Sequence, residues 1–279
     1  MTLKQAIQRA RDRLQSYHIE NPGLTVEVLL MYSLKINRVR LYQTLEDELN
    51  AEVEIDFLRL IERHMNGEPV AYITGRKEFF GIDFVVDNRV LIPRPETELL
   101  VDKALTQAAV NNPDSIADIG TGCGTVAVPL ALKLPGVKIY ATDISAAALE
   151  VAALNCREQG VADKINLLQG NLLEPLPEPV DMIIANLPYM RKDDITGSRG
   201  LSFEPGLALD GGEDGLSVIR QFCAQVKNRL KPNGLLLMEI GVGQGEPVTE
   251  LLNKYFTGAV TINTYRDYAG IERVVQMTL

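Results

Sequence analysis

One short segment constrains this chain more than any other: Asp118-Ile119-Gly120-Thr121-Gly122-Cys123-Gly124-Thr125. An apolar run over residues 116–119 stops in three alternating glycines, and residues 125–134 then read as a helix. Glycine adopts backbone conformations closed to other residues and lets a ligand approach the main chain, while a helix start offers unpaired N–H groups. The segment therefore reads as a buried strand entering a helix through a ligand-sized turn. A dinucleotide-binding G-x-G-x-x-G needs glycine where Thr125 stands, so an NAD or FAD fold is the lesser reading. Taken alone, the loop is also compatible with a plain strand-to-helix turn.

The flanking pattern sets the class. Short apolar strands are expected at residues 116–119, 138–142, 165–168, 182–185, 235–239, 260–264 and 273–277, with helices over 125–134, 145–159, 216–230 and about 247–255 between them. Such alternation makes a seven-stranded, mostly parallel α/β sheet with helices on both faces. The last two strands lie too close for a helical crossover and should form an antiparallel hairpin.

Ahead of this, Leu3, Ala6, Ile7, Ala10, Leu14 and Tyr17 recur at helical spacing behind Thr2, as do Val26, Leu29, Leu30 and Leu34. A third helix starts at Asn50 and ends near Gly67. These define a helical bundle over residues 1–69. Residues 70–74 and 78–86 are β-branched and aromatic around Gly75-Arg76-Lys77, which suggests a β-hairpin linker over 70–92. Pro93 and Pro95 then force an extended loop before a helix over 98–109, within an α/β domain spanning 93–279.

Composition removes several function classes. No run approaches the ~18–20 apolar residues of a membrane helix, and the N-terminus has neither a secretory nor a transit signature, so a cytoplasmic protein without membrane contact is expected. Cys123, Cys156 and Cys223 are odd in number and widely spaced, so neither a disulfide framework nor a metal site is drawn from them. The net charge of −9 opposes attraction to a phosphate backbone, and direct nucleic-acid binding is not expected.

Two further motifs carry chemistry. Asp143 ends the second strand, where an acid can accept both ribose hydroxyl protons of an adenosine ligand; its other reading is a cap for the helix beginning near Ser145. Asn186-Leu187-Pro188-Tyr189 follows the fourth strand, at the carboxyl end where open α/β sheets bind ligands. An Asn oxygen, neighbouring carbonyls and a Tyr ring suit a planar group bearing an NH2, such as an amide or adenine. A plain turn is the alternative.

Together these motifs resemble the Rossmann-like class I S-adenosylmethionine-dependent methyltransferases that modify amide or exocyclic nitrogens. Residues 67–75 (GEPVAYITG), 92–98 (IPRPETE), 207–216 (LALDGGEDGL) and 239–241 (EIG) are closely similar to the bacterial protein-(glutamine-N5) methyltransferases of peptide chain release factors, the PrmC or HemK family. The resemblance covers nearly the whole chain. It implies that Gly120, Thr121, Gly122, Cys123 and Gly124 wrap the methionine end of S-adenosylmethionine, that Asp143 holds the ribose, and that Leu172 flanks the adenine. Asn186, Leu187, Pro188 and Tyr189 are implied to bind the substrate glutamine, with Asn186 also beside the cofactor and Asn186, Pro188 and Tyr189 catalytic. The implied substrate is the glutamine of the Gly-Gly-Gln loop of class 1 release factors, the product of the donor is S-adenosylhomocysteine, and the N-terminal bundle is the expected docking surface.

One departure stands out. The family usually carries Asn-Pro-Pro-Tyr, whereas Leu187 here matches the Asn-Leu-Pro-Tyr of rRNA adenine dimethyltransferases, which keeps an rRNA or DNA adenine-N6 methyltransferase, or a non-catalytic S-adenosylmethionine-binding protein, as alternatives. Asp118 meets the ligand's ammonium or is structural; Arg94 and Glu96 order their loop or stand beside the cofactor. Cys123 lacks an activating base and reads as a small filler.

Overall fold

Thr2 begins the first helix because its side chain accepts from the Gln5 N–H while Gln5 returns a bond to the Thr2 N–H, a reciprocal cap. The computed structural model describes residues 1–196, 200–258 and 260–279. The chain divides into two units, Met1–Gly75 and Arg76–Leu279. The first holds α1 (Leu3–Ser16), α2 (Pro22–Leu34), α3 (Arg38–Gln43), α4 (Ala51–Met65) and α5 (Val70–Thr74). Leu3, Ala6, Ala10 and Leu14 of α1, Leu29 and Leu30 of α2, Phe57 and Ile61 of α4, and Ile73 of α5 close one apolar core.

The α5 helix corrects the expectation of a strand at residues 70–74. Pro69 is its N-cap with φ −61°, Gly75 ends it at φ +71°, and the Thr74 hydroxyl bonds back to the Val70 carbonyl at 3.0 Å. Burial of Ile73 in the helical core outweighs the β-preference of Val70, Ile73 and Thr74. The string at residues 67–75 is thus a helix junction, tied by Arg63 Nε to Glu68 at 2.7 Å. The hairpin lies further on, between β1 (Arg76–Phe79) and β2 (Ile82–Val85), with Phe80 and Gly81 both at positive φ. That two-residue turn matches the strand twist.

The second unit continues through α6 (Thr97–Asn111), β3 (Ser115–Ile119), α7 (Ala127–Lys133), β4 (Lys138–Asp143), α8 (Ala146–Glu158), β5 (Ile165–Gln169) and β6 (Val180–Ala185). The short α9 (Lys192–Thr196) precedes α10 (Ser217–Val226), β7 (Leu230–Glu239), α11 (Gly245–Tyr255), β8 (Thr261–Arg266) and β9 (Glu272–Thr278). The seven-stranded sheet has the order β5-β4-β3-β6-β7-β9-β8, with every strand in one direction except β9, which runs antiparallel between β7 and β8. The chain runs outward from β3 on one side and from β6 on the other, so their carboxyl ends flank the crevice where such sheets bind ligands. The helix expected to reach Leu230 stops at Val226, because Leu230 pairs with Val180 as the first residue of β7.

Asn155 on α8 joins three parts of this unit. Its Oδ1 accepts from the Val85 N–H at 2.7 Å, and its Nδ2 donates to the Val85 and Cys123 carbonyls at 3.0 and 2.9 Å. The side chain is fully buried, so its loss strands several polar groups away from water. We expect Asn155→Leu to lower stability by about 2–3 kcal/mol, measured as a fall in denaturation midpoint at unchanged denaturant slope.

Candidate active site

The glycine loop is folded onto the end of β4. The N–H groups of Gly120 and Thr121 both donate to the Thr142 carbonyl at 2.9 Å. Gly122 N–H donates to Asp143 Oδ2 and Ser145 N–H to Asp143 Oδ1, each at 2.9 Å. Asp143 therefore organises both the loop and the start of α8, while its two oxygens retain acceptor capacity for a ligand. Burial raises its pKa from the ordinary aspartate value. Asp118 is more deeply placed: Oδ2 accepts from the Thr121 hydroxyl at 2.6 Å and the Ala127 N–H at 3.1 Å, which starts α7. Burial pushes its carboxyl up to about 7.

A cavity of about 340 Å³ opens beside this loop, lined among others by Gly120, Gly122, Asp143, Leu172, Asn186, Leu187 and Pro188. Thr121, Cys123 and Gly124 lie off its wall. Cys123 is buried with its thiol pushed up to about 11 by burial, and a side chain at Gly124 would meet Val128 at 3.2 Å. These three support the wall and do not form it. Leu172 is held at φ +52°, with its carbonyl accepting from the Thr142 hydroxyl at 2.9 Å. A leucine in this region is strained, and such strain collects at ligand sites. Ile144, Val218 and Arg89 add to the wall from segments that no sequence motif marked, and Leu207 adds to it from the string at 207–216. A carboxylate for a diol, apolar faces for a flat ring and a bare glycine backbone for a polar tail fit S-adenosylmethionine, and the size is that of a ligand cavity.

A second cavity of about 120 Å³ shares Leu91, Asn186, Leu187 and Ala208 with the first and adds Arg94, Tyr189 and Glu239. Asn186 Nδ2 donates to the buried Thr97 hydroxyl at 3.1 Å, and Tyr189 Oη donates to Glu239 Oε1 at 3.3 Å. Burial pushes the Glu239 carboxyl up to about 7, against the pull of hydrogen bonds from Thr97 and Tyr189. The carboxyl of Glu239 and the nearby Glu96 raise the Tyr189 phenol above its usual range, after burial itself. Arg94 pairs with the buried Glu204 at 2.5 Å, and Glu204 also accepts from the Ile92 N–H at 3.1 Å, joining the proline loop to residues 205–208. Glu96 stands 3.9 Å from Arg273. Thr97, Glu204 and Glu239 were not singled out from sequence; the signal was present only in that the strings at 92–98 and 239–241 contain two of them.

Three glycines explain how residues 186–189 are held. A side chain at Gly211 would meet the Tyr189 Cα at 2.8 Å, one at Gly215 the Tyr189 oxygen at 2.4 Å, and one at Gly241 the Tyr189 ring at 3.0 Å. Gln244 Nε2 donates to the Tyr189 and Gly215 carbonyls at 3.1 and 3.2 Å. Leu187 is buried in the sheet core, so its apolar side chain replaces the rigidity of the missing proline with packing. The contrast between two glycines tests the cradle. Gly243 has φ +78° and open space around it, so Gly243→Ala should cost about 1 kcal/mol of backbone strain alone. Gly215→Ala carries the same strain at φ +74° together with the clash, and should lower the thermal midpoint well below that of Gly243→Ala.

Comparison with known proteins fits this geometry. Residues 5–75 match the family model "PrmC N-terminal domain", and residues 95–200 match "Methyltransferase small domain". The chain is 41% identical to the release factor glutamine methyltransferase of Moorella thermoacetica, over 98% of this chain and 97% of that one. It is 38% identical to the enzyme of the same name in Koribacter versatilis, over 99% and 98%. A solved methyltransferase from Pyrococcus furiosus is 16% identical with a TM-score of 0.54, covering 72% of this chain and 90% of that one, a likeness of fold alone. Identity sustained over both whole chains places the protein in the release factor glutamine methyltransferase family.

Proposed function

We propose that this protein transfers a methyl group from S-adenosylmethionine to the side-chain amide nitrogen of the Gly-Gly-Gln glutamine in class 1 peptide chain release factors. The observation that carries the reading is the position of Asn186, on the shared wall of a cofactor-sized cavity and a smaller one lined by Asn186, Tyr189 and Glu239. S-adenosylmethionine, when bound, would supply a methyl on a sulfonium sulfur; a correctly aimed amide nitrogen bonds to that methyl as the carbon–sulfur bond breaks, leaving S-adenosylhomocysteine, and one amide N–H proton is released to water.

An amide nitrogen is a weak nucleophile because its lone pair is shared with the carbonyl, so orientation must contribute much of the rate. Asn186 Oδ1 and the Pro188 carbonyl accept the two amide protons, and Tyr189 flanks the amide plane. Acceptors so placed favour the positive charge that develops on nitrogen. Gly120 and Gly122 hold the methionine end of the donor, Asp143 its ribose and Leu172 its adenine. Thr121, Cys123 and Gly124 support this by shaping the loop. The helical unit Met1–Gly75 is the docking surface for the protein substrate, since the donor and amide cavities are lined wholly by the second unit.

The net charge of −9 supports a protein substrate over nucleic acid. No helix among the described residues is long and apolar enough to cross a membrane, and a substrate from translation supports a cytoplasmic site of action.

Labelled S-adenosylmethionine should transfer its methyl to a purified class 1 release factor. The same factor with its Gly-Gly-Gln glutamine changed to alanine, and ribosomal RNA, should stay unlabelled; label on RNA alone would overturn the reading. Asn186→Ala should reduce turnover on the order of 10²- to 10³-fold with the fold intact. Asp143→Ala should instead act mainly by raising the KM for S-adenosylmethionine.

A further inference from the structure

Four of the described residues line both the donor cavity and the small cavity: Leu91, Asn186, Leu187 and Ala208. Asn186 and Leu187 directly follow β6, so the sheet places them. Leu91 and Ala208 come from two connecting segments far apart in the chain, and no strand holds either. Something else must keep them in the common wall.

One buried side chain joins the two segments. Glu204, whose side chain is 3% exposed, accepts from the Ile92 N–H on Oε2 at 3.1 Å and from Arg94 Nη2 on Oε1. It therefore grips the loop at the residue after Leu91 and again two residues further on. Toward Ala208 the chain is closed by its own bonds: the Ala208 N–H donates to the Pro205 carbonyl at 2.9 Å, and the Leu209 and Asp210 N–H groups donate to the Gly206 carbonyl at 3.1 and 2.9 Å. Ala208 thus follows wherever Glu204 is anchored. The far end of the segment is tied beside Tyr189, where the Met190 N–H donates to the Leu209 carbonyl at 3.0 Å and the Gly211 N–H to the Met190 carbonyl at 2.8 Å. Residues 204–211 form a strap between the 91–94 loop and the 186–190 loop. Glu204 itself lines neither cavity, so whatever it contributes passes through other residues.

We propose that Glu204 is a positioning residue that sets how the methyl donor and the amide meet, by holding Leu91 and Ala208 in the wall common to both cavities. The inference rests on the amide-methylating reading given above. A displacement needs nitrogen and methyl in contact and in line, and a misplacement of about 1 Å can cost on the order of 10²-fold. The groups assigned to each reactant separately, Asp143 and the glycine loop for the donor and Asn186 for the amide, make no bond to Glu204 among the described residues. Its loss should therefore appear in kcat more than in affinity.

The test uses the full-length protein, labelled S-adenosylmethionine and a purified class 1 release factor, below the thermal midpoint of every variant. Glu204→Ala should lower kcat about tenfold or more, with little change in equilibrium affinity for S-adenosylmethionine. Glu204→Gln keeps the shape but offers one acceptor and one donor where two acceptors are needed, so either Ile92 or Arg94 loses its partner. It should lower kcat by less than Glu204→Ala does, and it decides the question if Glu204→Ala does not fold. The decisive measurement is the double variant Leu91→Ala/Glu204→Ala. Two residues that act through the same wall should give a combined loss in kcat smaller than the product of the single losses. Losses that multiply, a loss of donor affinity as large as the loss of kcat, or wild-type kcat in Glu204→Gln would assign Glu204 a merely structural role and overturn the proposal. Those outcomes leave the substrate reading standing, provided the wild-type protein labels the release factor; absence of that label would remove the reading and this inference with it.

Discussion

Parallel pairing of β3 between β4 and β6 is the constraint on which the site depends. In that register Ile119 lies beside Thr142 on one side and Ala185 on the other, so three strands end at one level. The glycine loop after β3, Asp143 at the end of β4 and Asn186 just past β6 are then brought together although they lie far apart in sequence. Moving one strand by a single residue would send its side chains to the opposite face and separate the three. The apolar composition of β3, β4 and β6, buried on both faces, is what makes that register the stable one.

The strings that carried the family resemblance turn out to serve different physical ends. Residues 67–75 form a capped helix junction within the helical unit. Residues 207–216 and 239–241 supply the close approaches of Gly211, Gly215 and Gly241 to Tyr189, while Asp210 bridges back to Met190. Tyr189 in the loop after β6 is therefore held closely because its neighbours lack side chains and because Gln244 bonds its carbonyl. Leu187 fits this picture: it is buried in the core cluster beside the sheet, where packing can stand in for a proline.

Several features were readable from residue order alone, and their limits have physical causes. Helix caps at Thr2 and Asn50 are local hydrogen bonds between residues two or three apart, so sequence spacing reveals them, whereas the cap of α8 is Ser145 and not Asp143 alone. Residues 70–74 misled because β-branching favours a strand, whereas burial of Ile73 among α1, α2 and α4 residues decided for a helix. Nothing in the order of residues sets Glu204 apart, and Glu239 stands out only as part of the string at 239–241. Only the fold buries them, since their partners Arg94, Ile92 and Tyr189 lie 50 or more residues away.

By itself, the sequence determined the class of sheet, the glycine loop, the acid that ends β4 and the family, because each is written in periodicity, in local spacing or in strings long enough to be specific. The tertiary structure alone decided which loop residues face the cavity and which support it. Those properties depend on contacts between side chains remote in the chain, where burial fixes the direction of hydrogen bonds that water would otherwise leave free.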